Sequence, residues 1–317
     1  PRDAYLPLAR SASIAARMKF DAEGGCAACF FGLAAEDTDM RSLESGILAE
    51  RVGEVGVAVF ARDRKWLQLR CVSAIASPRL FYTRLMKPLT AGVLARLADG
   101  GFHSGEALAR SLEVSRASVW NAVRDLEATG IEIYKVHGRG YRLPYPVTLL
   151  DRAAVERHLG PNAGRFTLDI RDTVDSTNTR LLERAAAGAP GGMVLAAEWQ
   201  SGGRGRLGRA WHAGVGEALT FSLLWRCARG AGALSGLTLA VGVALARALM
   251  AAGAGSVALK WPNDVLWRGA KLAGVLTELQ GDALGPTAVV IGVGINVRLS
   301  EATRARIGQV AADLETA

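Results

Sequence analysis

The stretch SGEALARSLEVSRASVWNAVRDLEATG, residues 104–130, predicts two short helices joined by a tight turn at 113–115. Ser104 and Ser115 stand just before the two helical segments, where a serine hydroxyl caps the free N–H groups of a helix start. Gly130 supplies the C-terminal stop of the second helix. Apolar residues recur at helical spacing in that second helix and predict its buried face: Val119, Ala122, Val123 and Leu126. The pattern indicates a helix-turn-helix.

Upstream of this motif, a further helix is predicted over about 88–99, with Leu89, Val93, Leu94 and Leu97 on one face. Regular patterning begins abruptly at Met86. Residues 1–85 show no sustained period, repeat or motif. We therefore expect a domain over 86–146, preceded by an uninformative N-terminal extension or by translation from a mis-set start codon.

Downstream, residues 131–144 alternate apolar and polar side chains about Gly138, Arg139 and Gly140, which predicts a β-hairpin. A basic hairpin after a helix-turn-helix completes a winged helix, whose third helix enters the major groove of DNA. Guanidinium, amide and hydroxyl groups suit base edges and phosphates. The predicted DNA-binding residues are Ser115, Arg116, Ser118, Asn121, Arg124, Lys135 and Arg139, with Arg142 also expected along the phosphate backbone. The alternative is a helical protein-interaction module with a solvated charged face.

Residues 147–317 predict a second domain in which helices and strands are mixed. Strands are expected near 166–174, 193–199, 218–225, 256–261, 272–280 and 287–297, and helices near 148–160, 177–188, 235–253 (long and buried) and 301–315. Because several strands follow one another without a helix between them, the sheet cannot be wholly parallel. The fold class is therefore α+β, with a mixed sheet backed by helices.

Composition excludes several classes of protein. The 317 residues are half hydrophobic, and the net charge of +8 is spread along the chain rather than held in a basic tail. Four cysteines are too few for a disulfide framework, and Cys26 and Cys29 have no second pair to complete a zinc site, so no metal site is expected. The most apolar segment, 231–255, is broken by Arg247. No signal peptide or membrane span is expected, and a cytoplasmic location fits best.

The loop GGRGRLGRAW, residues 202–211, lies between two predicted strands. Its glycines let backbone N–H groups approach a ligand, and Arg204, Arg206 and Arg209 bring guanidinium groups suited to phosphate oxygens. We expect so glycine-rich and self-repelling a loop to be mobile until an anion orders it. The alternatives are an exposed basic hairpin loop and non-specific nucleic-acid binding.

Other motifs of this domain carry polar groups that suit a small ligand. Asp175 to Asn178 stand at a strand-to-helix junction, Lys260 precedes a Trp-Pro turn that leads to Asn263 and Asp264, and Lys271 stands at the entrance to an apolar strand. A lysine there either extends to solvent or neutralises a ligand anion.

Five motifs together resemble the biotin protein ligases: DSTN (175–178), WQSGGRGRLGRAW (199–211), KWPNDV (260–265), KLAGVLTE (271–278) and GVGIN (292–296). With the winged helix in front, the chain is similar to the bifunctional kind that also represses the biotin operon. The resemblance covers about 86–317 and implies a class II synthetase-like catalytic domain. It also implies an enzyme, a biotin-[acetyl-CoA-carboxylase] ligase, that makes biotinyl-5'-AMP from biotin and ATP and transfers biotin to a carrier-domain lysine.

Carried over residue by residue, the resemblance implies specific contacts. Biotin would contact Ser176, Thr177, Asn178, Gln200, Arg204, Gly205, Arg206 and Lys271. The nucleotide would contact Arg206, Arg209 and Trp211, and the catalytic residues would be Arg206 and Lys271. Gly274, Gly292 and Gly294 would permit close approach of ligand or strand backbones, or serve packing alone.

The implied ligands are biotin, ATP and Mg²⁺, with biotinyl-5'-AMP as corepressor. The implied partners are a biotin carboxyl carrier domain, operator DNA and a second copy in a ligand-dependent homodimer. Members of the family usually continue into a small β-barrel, which this sequence, ending at Ala317, is expected to lack. Two rival functions stay open: a lipoate ligase, and a biotin-sensing repressor without useful catalysis.

Overall fold

The computed structural model describes residues 59–60, 86–228, 230–281 and 285–317. The expectations for Cys26, Cys29 and most of the first 85 residues lie outside these ranges.

The N-terminal part of the described chain folds as the predicted winged helix. It comprises α1 (Pro88–Leu97), α2 (Gly105–Ser111), α3 (Arg116–Ala128), β2 (Tyr134–Val136) and β3 (Gly140–Arg142). Ser104 Oγ accepts a hydrogen bond from Ala107 N, and Ser115 Oγ accepts one from Ser118 N, both at 3.0 Å. These contacts confirm the two predicted caps. The predicted apolar face of α3 is buried.

The remaining described elements build one large sheet with helices. The strands are β1 (Val59–Phe60), β4 (Thr167–Val174), β5 (Met193–Gln200), β6 (Ala218–Cys227), β7 (Val257–Lys260), β8 (Asp264–Trp267), β9 (Ala270–Gly281) and β10 (Thr287–Asn296). The helices are α4 (Arg152–Leu159), α5 (Thr177–Ala186), α6 (Leu237–Ala251) and α7 (Glu301–Ile307), with short 3₁₀ turns at 160–165, 206–208 and 231–234.

The strand order is β1-β7-β8-β9-β10-β6-β5-β4. The pairs β4–β5 and β1–β7 are parallel and the other neighbouring pairs are antiparallel, which confirms the mixed sheet. β9 and β10 lie in the middle of this order, so residues at their shared end are flanked by several strands.

The structure differs from the predicted secondary structure in two places. A strand that was not predicted follows the Trp-Pro turn, because Asp264–Trp267 forms β8 against β7 and β9. The last helix ends at Ile307 rather than near 315: Gly308 takes φ +65°, and Ala312 N then bonds to Lys271 O at 2.9 Å. The apolar residues at the chain end therefore pack along the sheet, where backbone partners are available.

The predicted long buried helix is α6, and it buries one face rather than its whole surface. Arg247 is exposed, while Leu245, Ala248 and Leu249 are buried. No described helix has both the length and the apolar character needed to cross a membrane.

The loop between β5 and β6 contacts both parts of the described chain. Near its end, Val215 is buried in the apolar core of the winged helix. Gly216 takes φ +75°, and a Cβ there would lie 2.5 Å from Val147 Cγ1. Burial, reinforced by the nearby Glu217 carboxylate, raises the pKa of Tyr145 to about 12, so this linker residue is a neutral phenol. The boundary at 146/147 stays a prediction.

Candidate ligand-binding site and nucleic-acid interface

A cavity of about 610 Å³ opens beside β9 and β10. It is lined by residues from the β4–α5 junction, the β5–β6 loop, the β7–β8 turn, β9 and β10. Every residue that the sequence singled out for biotin or nucleotide lines it: Ser176, Thr177, Asn178, Gln200, Arg204, Gly205, Arg206, Arg209, Trp211 and Lys271. Segments nearly a hundred residues apart in sequence therefore meet at one site.

A buried polar network forms one side of the cavity. Gln200 Oε1 accepts hydrogen bonds from Thr177 N at 2.7 Å and from Thr177 Oγ1 at 3.1 Å. Ser222 Oγ donates to Asn178 Oδ1 at 2.5 Å, and Asn178 Nδ2 donates to Glu278 Oε2 at 2.7 Å. Because buried polar groups are costly unless bonded, this network holds Thr177 and Asn178 in single orientations.

Asn178 itself is engaged by protein groups on both ends of its amide. Nδ2 also donates to Leu276 O at 3.3 Å, and the side chain is almost fully buried. In this structure Asn178 is therefore part of the scaffold that orients Thr177 and Glu278. Direct contact of Asn178 with biotin stays a prediction.

Two glycines of β10 leave space that side chains of this same chain occupy. A Cβ on Gly292 would lie 2.1 Å from Asn178 Oδ1, and one on Gly294 would lie 2.6 Å from Trp211 Cζ2. Of the two readings of these glycines, close packing is the one that the structure supports. Gly274 is less crowded, since its Cβ would lie 3.3 Å from Lys271 Cε.

The flap, defined as residues 203–211, forms a narrow loop with Arg204 and Ala210 bridged at its base. Gly205 N donates to Arg209 O at 2.7 Å, and Trp211 N donates to Gly203 O at 2.8 Å. At the tip, Arg206 and Arg209 are exposed and form no ion pair with the residues that the structure describes. Their charges are therefore free to meet an anion in the cavity.

Arg204 differs from the other two arginines of the flap because a carboxylate compensates its charge. Arg204 Nη2 lies 3.1 Å from Glu278 Oε1 and 3.0 Å from Oε2, while Nη1 contacts Ser176 Oγ and Thr179 Oγ1. The expected self-repulsion of the flap is therefore reduced at its base. Mobility of the empty flap stays a prediction.

Lys271 is also paired rather than extended to solvent. Its Nζ lies 2.7 Å from Asp264 Oδ1 and 6.0 Å from the centroid of the Trp211 ring. Trp211 Nε1 is buried and has no hydrogen-bond partner within the described ranges. The cavity thus contains a positioned ammonium group near an indole ring whose buried N–H is unsatisfied.

Sequence reasoning missed several groups at this site. Glu278 was quoted within its motif without a role, and Ser222 was not singled out, although both bond to Asn178. Asn296 Nδ2 donates to Lys271 O at 3.1 Å and to Ala312 O at 2.9 Å, which ties β10 to the chain end. The sequence contains a signal for two of these partners, because Glu278 and Asn296 each stand at the end of a quoted motif.

On the winged helix, Arg116, Asn121 and Arg124 are exposed on α3, with the Arg124 guanidinium 4.8 Å from the Trp120 ring centroid. Ser115 caps the helix by accepting from Ser118 N, and the hydroxyl groups of Ser115 and Ser118 contact each other at 2.9 Å. On the hairpin, Lys135 pairs with Glu127 at 2.8 Å and Arg139 lies over the Phe102 ring.

Arg142 packs against aromatic side chains of the winged helix. Its guanidinium lies 4.9 Å from the Phe102 ring centroid and 5.1 Å from that of Tyr134, and its Nε is buried. Contact of Arg142 with a phosphate backbone stays a prediction.

Comparison with known proteins gives one family match in each of the two parts of the described chain. Residues 171–296 match the model of the biotin/lipoate A/B protein ligase family, and residues 92–142 match that of an HTH domain. The bifunctional ligase/repressor BirA of Salmonella typhimurium is 40% identical over 67% of this chain and 64% of its own length. The protein of the same name from Escherichia coli is 38% identical over 68% of this chain and 66% of its own.

The chain thus spans just under two thirds of the length of these relatives. A solved biotin protein ligase from Aquifex aeolicus, in complex with biotin and ATP, is 32% identical over 47% of this chain and 60% of its own, with a TM-score of 0.38. Residues 171–296 thus form a domain of the biotin/lipoate A/B protein ligase family, and residues 92–142 form an HTH domain.

Proposed function

We propose that the protein activates biotin with ATP to biotinyl-5'-AMP, transfers biotin to a lysine of a biotin carboxyl carrier domain, and represses transcription when biotinyl-5'-AMP is bound. The observation that carries the proposal is the convergence of all five quoted motifs on one glycine-lined cavity that contains a positioned cation. The named bifunctional relatives support it independently.

The first step must bring two anions together, the carboxylate of biotin and the α-phosphate of ATP. The cavity meets this need with cations of two kinds. Lys271 is held by Asp264 at a fixed place, whereas Arg206 and Arg209 stand on the exposed tip of the flap. Fixed charges lower the activation barrier because the protein does not have to reorganise during the reaction. The carboxylate oxygen of biotin then attacks the α-phosphorus of ATP as pyrophosphate leaves.

The flap serves the second step by retaining the product. When its tip closes over the mixed anhydride, Arg206 and Arg209 neutralise the phosphate and water is excluded. A carrier lysine amine then attacks the acyl carbon, and AMP leaves. Proximity of the bound reactants supplies about 7 to 11 kcal/mol of the rate advantage, so no covalent nucleophile of the protein is required.

The proposal includes Mg²⁺ as an ion that binds together with the nucleotide. The described part of the chain contains no cluster of three or more His, Cys, Asp or Glu side chains that could hold a metal ion. The phosphate oxygens of ATP would therefore supply most of its ligands, as is usual for Mg²⁺ at nucleotide sites, and the ion would offset phosphate charge. A cytoplasmic location, where ATP and carrier proteins meet, is part of the same proposal.

The deciding experiment incubates the purified full chain with labelled biotin, ATP and a carrier domain, and follows adenylate and protein label separately. We expect both products with biotin and neither with lipoate. Label with lipoate but not biotin would establish the rival ligase. Biotin binding without pyrophosphate release would favour a sensor that lacks catalysis.

Replacing Arg206 with glycine should leave a site that still forms adenylate, with Lys271 in place, but releases the product. Arg206 is exposed on the flap tip, and charge-assisted contacts to phosphate are the strong ones, so we expect adenylate to dissociate about tenfold faster. The measurement is biotin label on a bystander protein mixed with the enzyme. Leu207→Gly is the matched control, because Leu207 is exposed and already takes φ +57°. Equal retention by wild type and Arg206→Gly would contradict this role for the flap.

For repression, we propose that the adenylate favours a homodimer that places two winged helices on two operator half-sites. The support lies in the exposed face of α3 and in the contact of Val215, near the end of the β5–β6 loop, with the winged-helix core. A gel shift on biotin-gene promoter DNA, with and without adenylate, tests the coupling, and sedimentation tests the dimer.

Asn121→Ala and Arg139→Ala should weaken DNA binding in different ways. An exposed amide on α3 suits an adenine edge, so Asn121→Ala should cost about 1–3 kcal/mol on the operator and little on unrelated DNA. Arg139 lies on the hairpin, so Arg139→Ala should weaken binding to operator and unrelated DNA alike. It should also reduce the slope of the logarithm of the binding constant against the logarithm of salt concentration by about one. Gel shifts on operator and scrambled DNA at several salt concentrations measure this. Equal losses of Asn121→Ala on both sequences would exclude base readout.

A further inference from the structure

Glu278 lies near the end of β9, opposite Val290 of β10, and its carboxylate joins two parts of the cavity wall. Oε2 accepts from Asn178 Nδ2 at 2.7 Å, and both carboxylate oxygens contact Arg204 Nη2. One acidic group therefore contacts the buried amide beneath the cavity and the cation at the base of the flap.

Arg204 is the point at which the flap is fastened. Its second guanidinium nitrogen contacts Ser176 Oγ and Thr179 Oγ1 at the start of α5, so the side chain spans from the flap to both β9 and α5. Gly203 and Gly205 flank it, and beyond the Arg204–Ala210 bridge only the exposed tip projects. The base is thus held by charge, while the tip has few contacts.

Burial makes this pair more than a surface contact. The Arg204 and Glu278 side chains are 30% and 28% exposed. Removing one partner leaves the other charge partly buried and uncompensated, which is more damaging than the loss of an exposed pair. An unpaired Arg204 would also be free to leave the cavity wall, and Asn178 would lose one of its acceptors.

We propose that Glu278 is a positioning residue that fastens the base of the flap through Arg204 and orients Asn178, so that only the tip has to move when ligand binds. The inference rests on the proposed function for its consequence, namely biotin affinity. The anchoring itself is a property of the empty protein and can be tested without ligand.

The test compares trypsin cleavage after Arg206 and Arg209 in the ligand-free full chain. We expect about tenfold faster cleavage in Glu278→Gln and in Arg204→Gln, and no further increase in the double variant, because residues of one bonded network are coupled. The control pair is Asp169 and Arg184, 2.5 Å apart and similarly half-buried, on β4 and α5. Asp169→Asn should leave flap cleavage unchanged. Thermal melting checks that every variant is folded.

A second readout measures the KM for biotin in adenylate formation. Glu278→Gln should raise it about tenfold while kcat changes less than threefold, as expected for lost positioning rather than lost chemistry. Wild-type cleavage rates in Glu278→Gln, or single effects that multiply in the double variant, would overturn the proposal. If the wild-type chain makes no adenylate, the proposed function fails, and the cleavage rates still decide whether Glu278 anchors the flap.

Discussion

Lys271→Ala should lower biotin-dependent pyrophosphate exchange by about 100- to 1,000-fold, the range observed when one preorganised electrostatic partner of a transition state is removed. Lys271 is a cation that the structure fixes in the cavity, with Nζ 2.7 Å from Asp264 and the side chain 21% exposed. Its loss also leaves the Asp264 carboxylate uncompensated, where it would repel both anionic substrates. The measurement is incorporation of labelled pyrophosphate into ATP with and without biotin.

The double variant Lys271→Ala/Asp264→Asn separates these two causes. Removing the uncompensated anion should restore about tenfold of the lost rate, because a like charge near the reacting groups costs on the order of 1.4 kcal/mol. Lys87→Ala is the control, since Lys87 also pairs with an aspartate, Asp125, at 3.0 Å, but on the winged helix and in a more exposed position. Exchange by Lys271→Ala within threefold of wild type would remove this residue from the active site.

The features that sequence alone predicted are those set by local chemistry. Ser104 and Ser115 act on N–H groups three residues away, and the face of α3 follows from helical spacing, so both could be read without knowing the fold. The boundaries of the longer strands were similarly close to those observed. β8 was missed because its four residues follow a Trp-Pro turn and have no clear alternation of their own.

The final helix was extended too far because the composition of 308–315 suits a helix as well as an extended segment. What decides the matter is non-local: the backbone of Lys271 offers partners to residues at the chain end. The same holds at the cavity. The pairing of Arg204 with Glu278, 74 residues away, depends on the register of β9 and β10 and cannot be read from either motif. Local signals thus identified which residues line the site, but not how their charges are compensated.

Gly292→Ala should abolish ligand binding and reduce the free energy of unfolding. A Cβ at this position would lie 2.1 Å from Asn178 Oδ1, so the buried amide would have to move. Moving it breaks its bonds to Ser222, Glu278 and Leu276, and these bonds also orient Thr177 and Arg204. Overpacking together with unsatisfied buried polar groups predicts a loss of about 2–4 kcal/mol. Urea unfolding and biotin calorimetry measure the two effects.

Gly242→Ala is the matched control, since Gly242 is also buried but lies inside α6, where an added Cβ would meet Leu259 Cδ2 at an ordinary 3.5 Å. A glycine inside a helix costs about 1 kcal/mol relative to alanine, so this variant should be as stable as wild type or more so. Asn178→Ala removes the clashing group, and adding Gly292→Ala to it should therefore cost little further stability. If Gly292→Ala instead unfolded at the wild-type urea concentration and bound biotin normally, the Asn178 network would not be what shapes this wall of the cavity.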